Sequence, residues 1–185
     1  ILPGSRNFEV KALLPLFVEA LRELKESFLI EASLVCSSNV KKQIYTPYLS
    51  EFENIYGDNQ LSSALSAADF ALAASGTVTL TCALFQVPTV VAYRTSLLNQ
   101  WIYETFVSYN GFISLANIVH NQEVFPEFIQ DEVSRYNLVR PLRNWLTNPR
   151  SYERIKNELK KTKDLIGGDQ QETSQHMLNV IRQVY

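Results

Sequence analysis

Two turns of one kind constrain this chain more than anything else in it. Pro3-Gly4-Ser5-Arg6 follows the apolar pair Ile1-Leu2, and Ala74-Ser75-Gly76-Thr77 closes the apolar run that begins at Phe70. Each reads as the joint between the carboxyl end of a parallel strand and the amino end of the next helix. Open α/β sheets receive ligands at that edge, because helix N-termini there present unpaired N–H groups and partial positive charge. Two such joints predict a site for an anion, with a nucleotide diphosphate as the natural candidate. The first joint also comes early. A strand needs about five residues, and Ile1 and Leu2 alone precede it, so the chain reads as a piece of something longer.

Between and after the joints, short apolar runs alternate with helical patterns. Phe8 to Leu29 is predicted helical: Phe8, Leu13, Leu14, Phe17, Val18, Leu21 and Leu24 share one face, against Lys11, Glu19, Arg22, Glu23 and Lys25. Pro15 predicts a bend, or a first turn split from the rest. Ala32 to Cys36 suits a buried strand. Val40 to Phe52 reads as a helix interrupted near Pro47, and Ile55-Tyr56 as a short strand before Gly57-Asp58-Asn59. A small helix is predicted over Leu61 to Ala68, closed by Asp69, then a strand over Phe70 to Ala74. Gly76 to Phe85 follows as a helix with Val78, Cys82 and Phe85 on its apolar face, and Thr89 to Tyr93 as the next strand. The alternation, with no interval suited to hairpins, predicts an α/β fold: a doubly wound, Rossmann-like parallel sheet. Past Tyr93 the strand signal fades. Helices are predicted over Glu132 to Leu146, Ser151 to Leu165 and Thr173 to Val184, broken at Pro149 and Gly167-Gly168. They form a helical tail over about residues 132–185.

Composition narrows the classes. The 185 residues are 46% hydrophobic, enough for one sizeable core, so residues 1–185 are read as a single domain. A net charge of -2 argues against a nucleic-acid partner, which needs a concentrated basic face. The basic cluster from Lys156 to Lys163 is interleaved with Glu158, Leu159 and Asp164, as in a solvated helix face, an anionic partner being the other reading. Cys36 and Cys82 sit in apolar stretches and read as small buried hydrophobes in a reducing compartment. His120 and His176 are isolated, so neither a metal site nor a cofactor is expected. No apolar run approaches the roughly 18 residues that a membrane span needs.

Each joint carries its own chemistry. Gly4 lets backbone approach a ligand, Ser5 can cap the following helix, and Arg6 offers a planar fork matched to phosphate or carboxylate. Glu9 lies in the first helical turn, where the dipole favours negative charge. The same residues would equally make a plain strand-to-helix turn with Arg6 in solvent. This is not a P-loop, since the Gly-Lys-Ser/Thr triplet is missing. At the second joint Ser75, Gly76 and Thr77 bring two hydroxyls and a glycine to a helix start, followed by Thr79 and Thr81. Those hydroxyls can cap the helix or face an anion. In a doubly wound sheet both joints would lie on one edge, joined there by the loop after Tyr93-Arg94.

These residues resemble a known family. Leu2-Pro3-Gly4-Ser5-Arg6 with Glu9 is similar to the Leu-Pro-Gly-Ser-Arg-x-x-Glu of the lipid-A-disaccharide synthases, bacterial glycosyltransferases of GT-B architecture. Ala68-Asp69 through Leu80, Pro88 to Arg94, Ile113-Ser114-Leu115-Ala116-Asn117 and Pro126-Glu127-Phe128-Ile129-Gln130 resemble further family motifs in the same order. The resemblance covers residues 1 to 130 and is to the C-terminal, donor-binding half. It implies a metal-independent enzyme, peripheral on the cytoplasmic side of the inner membrane. That enzyme joins UDP-2,3-diacylglucosamine to 2,3-diacylglucosamine 1-phosphate and releases UDP. It implies, too, that an N-terminal half supplies the acceptor site and the general base, so that this chain holds no general base and turns over nothing alone. C-terminal halves exchanged between chains of a homodimer, and the membrane surface, are the further partners implied.

On that resemblance the nucleotide site comprises Gly4, Ser5, Arg6, Ser75, Gly76, Thr77, Thr81, Asn117, Glu127 and Gln130, with Arg6 stabilising the leaving group. Thr81 stands where the family carries a glutamate expected to grip the ribose, and Ala116 where it carries proline. The aromatic stretch from Leu97 to Phe112 reads as core, as a contact with the other domain or a sister chain, or as a contact with lipid. Two other readings stay open: a different UDP-sugar enzyme of the same architecture, a glycan transferase or an epimerase, and a non-catalytic binding or assembly module.

Overall fold

The computed structural model describes residues 1–94 and 111–167. Helix α1 (Asn7–Lys25) is followed by β1 (Ser33–Cys36), α2 (Lys42–Tyr45) running into a 3-10 turn (Thr46–Glu51), and β2 (Asn54–Gly57). Then come α3 (Leu61–Ser66), β3 (Ala71–Ala74), α4 (Thr77–Leu84), β4 (Thr89–Tyr93), α5 (Leu115–His120) and β5 (Glu127–Ile129). Helices α6 (Arg135–Thr147), α7 (Pro149–Leu159) and α8 (Thr162–Gly167) complete the described chain.

All strand pairs are parallel: β1 with β2, and β3 with β4 with β5. Ile1 and Leu2 join the two sets. The Ile1 carbonyl accepts from Val35 N (3.0 Å) and the Ile1 nitrogen donates to Ser33 O (2.7 Å). On the other side Leu2 bridges Ala73 in parallel. The order across the sheet is therefore β2, β1, Ile1-Leu2, β3, β4, β5. Starting from Ile1-Leu2, the chain builds outward first to one side and then to the other, the doubly wound order, with its switch point between Leu2 and β3.

Side chains alternate between two cores, as a strand period of two requires. Leu72, Ala74, Val90, Ala92 and Phe128 pack against Leu13, Phe17, Ala20 and Leu24 of α1 and Leu138, Leu142 and Trp145 of α6. Ala71, Ala73 and Val91 pack against Cys82 and Ala83 of α4, Ala116 of α5 and Leu159 of α7. The remaining apolar stripe of α1, Val10, Leu14, Val18 and Leu21, covers Leu34 of β1. All four residues of β3 are buried, which explains why it reads as an unbroken apolar run rather than an alternating one.

The doubly wound fold class stands, while several local expectations change. Helix α1 runs unbroken through Pro15. A proline inside a helix costs about 3 kcal/mol, and eight buried residues on α1, each worth roughly 1.5–3 kcal/mol for the larger ones, outweigh that. The interruption expected near Pro47 is present: a four-residue helix gives way at Thr46-Pro47 to a 3-10 turn. The inward face of α4 is Thr79, Cys82 and Ala83; Phe85 is exposed. The break expected at Pro149 is present, with Pro149 opening α7 because the first helical position needs no N–H partner. The helix expected over Ser151 to Leu165 is divided into α7 and α8. Strand β5 was not expected at all. Residues 95–110, most of the aromatic stretch, and the helix expected over Thr173 to Val184 lie outside the described residues. No described helix is long and apolar enough to cross a membrane.

Candidate functional site

Because the strands are parallel, the turns after Leu2, β3, β4 and β5 all emerge at one edge. Gly4 sets how closely the first approaches the second. Its φ is +114°, and a Cβ there would lie 2.9 Å from Glu9 Cβ and 3.4 Å from Ala74 Cβ. Only glycine combines that backbone with so little room. The Pro3-Gly4-Ser5-Arg6 turn therefore lies against the last residue of β3, directly beside Ser75-Gly76.

The two turns are not equivalent. At the first, the N-cap residue is Arg6, not Ser5, and the capping group is Glu9. Glu9 Oε2 accepts from Ser5 N (3.1 Å) and Arg6 N (3.2 Å), so the chain's own carboxylate already occupies those donors. The spacing from Arg6 to Glu9 matches the glutamate half of a capping box, a signal legible in the sequence that dipole arguments alone passed over. What the first turn still offers is the Arg6 guanidinium. One nitrogen meets Glu9 Oε1 at 3.3 Å, and the side chain is 71% exposed.

The second turn is open. Gly76 has φ +151°, and among the described residues, its chain neighbours aside, no atom lies within 4 Å of where its Cβ would be. Among the described residues, no side chain caps α4. The first N–H groups of a helix have no intrahelical acceptor, and those at the start of α4 lie at the positive end of its dipole. Both Ser75 donors are committed within the fold: N to Ala92 O (2.9 Å) and the hydroxyl to Ile113 O (2.9 Å). Buried Thr79 turns its hydroxyl back onto Gly76 O (2.7 Å). Thr77 begins the helix in an exposed position, and Thr81 sits one turn on, with Oγ1 at 3.5 Å from Thr77 O.

The rest of the edge holds Arg94, Gln130, Asn117 and Glu127. Arg94 Nε donates to Gln130 O at 3.3 Å, and Gln130 stands in the left-handed region at φ +49°. Arg94 was noted in the sequence only as part of a loop; here it adds a second cation where β4 ends. Asn117 is fully buried. Its Oδ1 accepts from Val124 N (2.9 Å) and Phe125 N (2.8 Å), while Nδ2 donates to Phe125 O (2.8 Å) and Glu127 Oε1 (2.7 Å). Glu127 in turn accepts from Ile113 N (2.8 Å) and Ser114 N (2.8 Å). Ser114 caps α5, so the Glu127 carboxylate sits at that helix's amino end.

A cavity of about 390 Å³ opens at the opposite edge, lined by such residues as Ile30, Ala32, Leu65, Ala68, Phe70 and Leu146. No lysine or arginine lines it. Among the described residues, no three His, Cys, Asp or Glu side chains gather as metal ligands.

The fold defines the class: a doubly wound, Rossmann-like α/β domain of the GT-B kind. The sequence narrows this further. Residues 1–182 match the family model for lipid-A-disaccharide synthetase, and the chain belongs to that family. It is 31% identical over 185 residues to the lipid-A-disaccharide synthase of Francisella philomiragia, covering 98% of this chain and 49% of that protein. It is 34% identical over 178 residues to that of Gloeothece citriformis (86% and 44%) and 30% identical over 165 residues to that of Francisella tularensis subsp. tularensis (87% and 43%). The chain spans about half the length of the curated relatives it matches.

Proposed function

We propose that this chain is the donor-binding half of a glycosyltransferase of lipid A biosynthesis. In this reading the whole protein joins UDP-2,3-diacylglucosamine to 2,3-diacylglucosamine 1-phosphate and releases UDP. The observation that supports it is that the Leu2–Ala73 bridge and the close approach of Gly4 to Ala74 bring the turn carrying the exposed Arg6 and the turn that opens α4 to one sheet edge. As the bond from the sugar to the diphosphate breaks, negative charge accumulates on the departing UDP. Oriented N–H dipoles and a guanidinium already in place meet that charge without reorganising.

The parts divide as follows. Arg6 and the Gly76 and Thr77 N–H groups hold the diphosphate, while Gly4 allows the turns to approach and Ser5 is held by Glu9 beneath them. Thr81 and Gln130 border the crevice where the nucleoside would lie. The acceptor site and the general base belong to the N-terminal half. Work at the cytoplasmic face of the inner membrane, and a homodimer that exchanges C-terminal halves, complete the proposal.

Calorimetric titration of UDP into this chain tests it; binding that needs Arg6 supports the reading, and no binding at millimolar UDP overturns it. One observation favours a non-catalytic module instead. Thr81 brings a single neutral hydroxyl where a glutamate could accept from two ribose hydroxyls at once. Tighter UDP binding by Thr81→Glu marks a weakened but real ribose contact, whereas no binding in either form favours the module.

A further inference from the structure

Asn117, Glu127 and Ser75 form one connected line that ends at the open turn. Asn117 Nδ2 holds Glu127 Oε1 (2.7 Å). Glu127 holds the Ile113 and Ser114 N–H groups, both at 2.8 Å. Ile113 O then takes the Ser75 hydroxyl (2.9 Å), and Ser75 is the residue before Gly76. Among the described residues, its chain neighbours aside, no atom lies within 4 Å of a Gly76 Cβ, and the contacts that hold the residue before it are this line and the Ser75 N to Ala92 O bond (2.9 Å).

We propose that Glu127 and Ser75 are positioning residues for the anion cradle: through the Ile113 peptide they fix where the Gly76 and Thr77 N–H groups point, and neither touches the nucleotide. The donor inventory supports this. A serine hydroxyl has one proton to donate, and Ser75 gives it to Ile113. Glu127 carries negative charge and would repel a diphosphate at contact distance, yet it serves well where it is, at the N-terminus of α5 among three donors. The proposal deepens the reading of this edge as a UDP site and rests on it. Its first test therefore needs no nucleotide.

That test is amide NMR of the unliganded protein. Ser75→Ala and Glu127→Gln are each expected to shift the Gly76 and Thr77 amide resonances, and Ser75→Thr, which keeps the hydroxyl, to leave them near their original positions. Unmoved Gly76 and Thr77 amides in folded Ser75→Ala overturn the proposal, whatever Glu127→Gln does. The second test is UDP titration as a double-mutant cycle. If the two residues act through one line, Ser75→Ala and Glu127→Gln each weaken UDP binding several-fold, and the double variant loses no more than the worse single one. Losses that multiply mean separate contacts with the ligand and contradict the proposal. If the unaltered protein binds no UDP while the amides shift as expected, the reading of the site fails and the positioning line stands.

Discussion

Leu2 and Ala73 are bridged in parallel, with Leu2 N donating to Leu72 O and Ala74 N donating to Leu2 O, each at 2.8 Å. That single stitch makes one sheet of two and brings the turns that follow Leu2 and Ala74 onto the same edge. The turns that carry Arg6 and Gly76, far apart in sequence, thereby share one edge at the switch point. The predictions below test what this neighbourhood holds and what holds it.

Arg6→Ala is expected to weaken UDP binding by about 1.5–3 kcal/mol, the range for a charge-assisted hydrogen bond, or roughly tenfold to a hundredfold in Kd. With its side chain 71% exposed and one contact to Glu9 at 3.3 Å, Arg6 contributes little to folding, so the urea midpoint should barely change. Calorimetry and urea denaturation on the same sample separate the two effects.

Gly4→Ala and Gly76→Ala should differ in kind. Both positions have φ in the region that side chains rarely adopt, at +114° and +151°, which costs about 1–3 kcal/mol. A Cβ on Gly4 also meets Glu9 Cβ at 2.9 Å, whereas one on Gly76 meets nothing within 4 Å among the described residues beyond its chain neighbours. Gly4→Ala is therefore expected to be the more destabilising in urea, and to part the two turns. Equal losses of stability would show that the close packing of Gly4 on Glu9 is unimportant.

Asn117→Ala leaves the buried Phe125 N–H without its acceptor and the Val124 N–H with Gln122 O alone, an expected loss of about 1–3 kcal/mol. Asn117→Asp keeps that acceptor but sets a carboxylate against Glu127 Oε1, now 2.7 Å from Nδ2. Repulsion raises the pKa of the new group, so its fold is favoured below the ordinary carboxylate range and loses stability as pH rises through the raised value. Urea midpoints at pH 4.5 and 7.5 should show the aspartate variant gaining on acidification relative to the alanine variant.

His120 gives a pH dependence of the opposite sign. The Thr162 hydroxyl donates to Leu159 O (2.6 Å), so His120 Nε2 is the donor in the 2.9 Å contact between them. Burial lowers the imidazole pKa below its ordinary 6.5, with Lys161 adding to the fall and Glu158 opposing it. The folded state favours the neutral ring, so its contribution is complete above pH 6.5 and is lost as pH falls through the lowered value. Stability profiles of the original protein and His120→Gln should diverge below pH 6.5; parallel profiles would remove His120 as the cause.

Much of this fold was legible because its signals are local. The buried stripe of α1 and the apolar runs of β1, β3 and β4 obey the periods that burial imposes. Strand β5 escaped because it has three residues, one of them buried, in a stretch flanked by Pro126 and Gln130 that reads as loop. The unbroken helix through Pro15 depends on packing against β1 and β3, which no local pattern reports. At the site, the turns themselves were visible as glycine and hydroxyl residues before helices. Their inequality was not, because it arises from the reach of Glu9 to Ser5 and Arg6 at one turn and from the missing cap at the other. Asn117 and Glu127 were expected in the crevice by resemblance; their partners, Phe125 and the Ile113 peptide, become evident only once the chain has folded back on itself.

The most direct measurement is an NMR titration with UDP that follows the Arg6 Nε–H signal together with the Gly76 and Thr77 amides. If one diphosphate spans both turns, all three move along a single saturable curve with one Kd. Movement of the α4 amides while Arg6 stays fixed, or of neither group at saturating UDP, would contradict it.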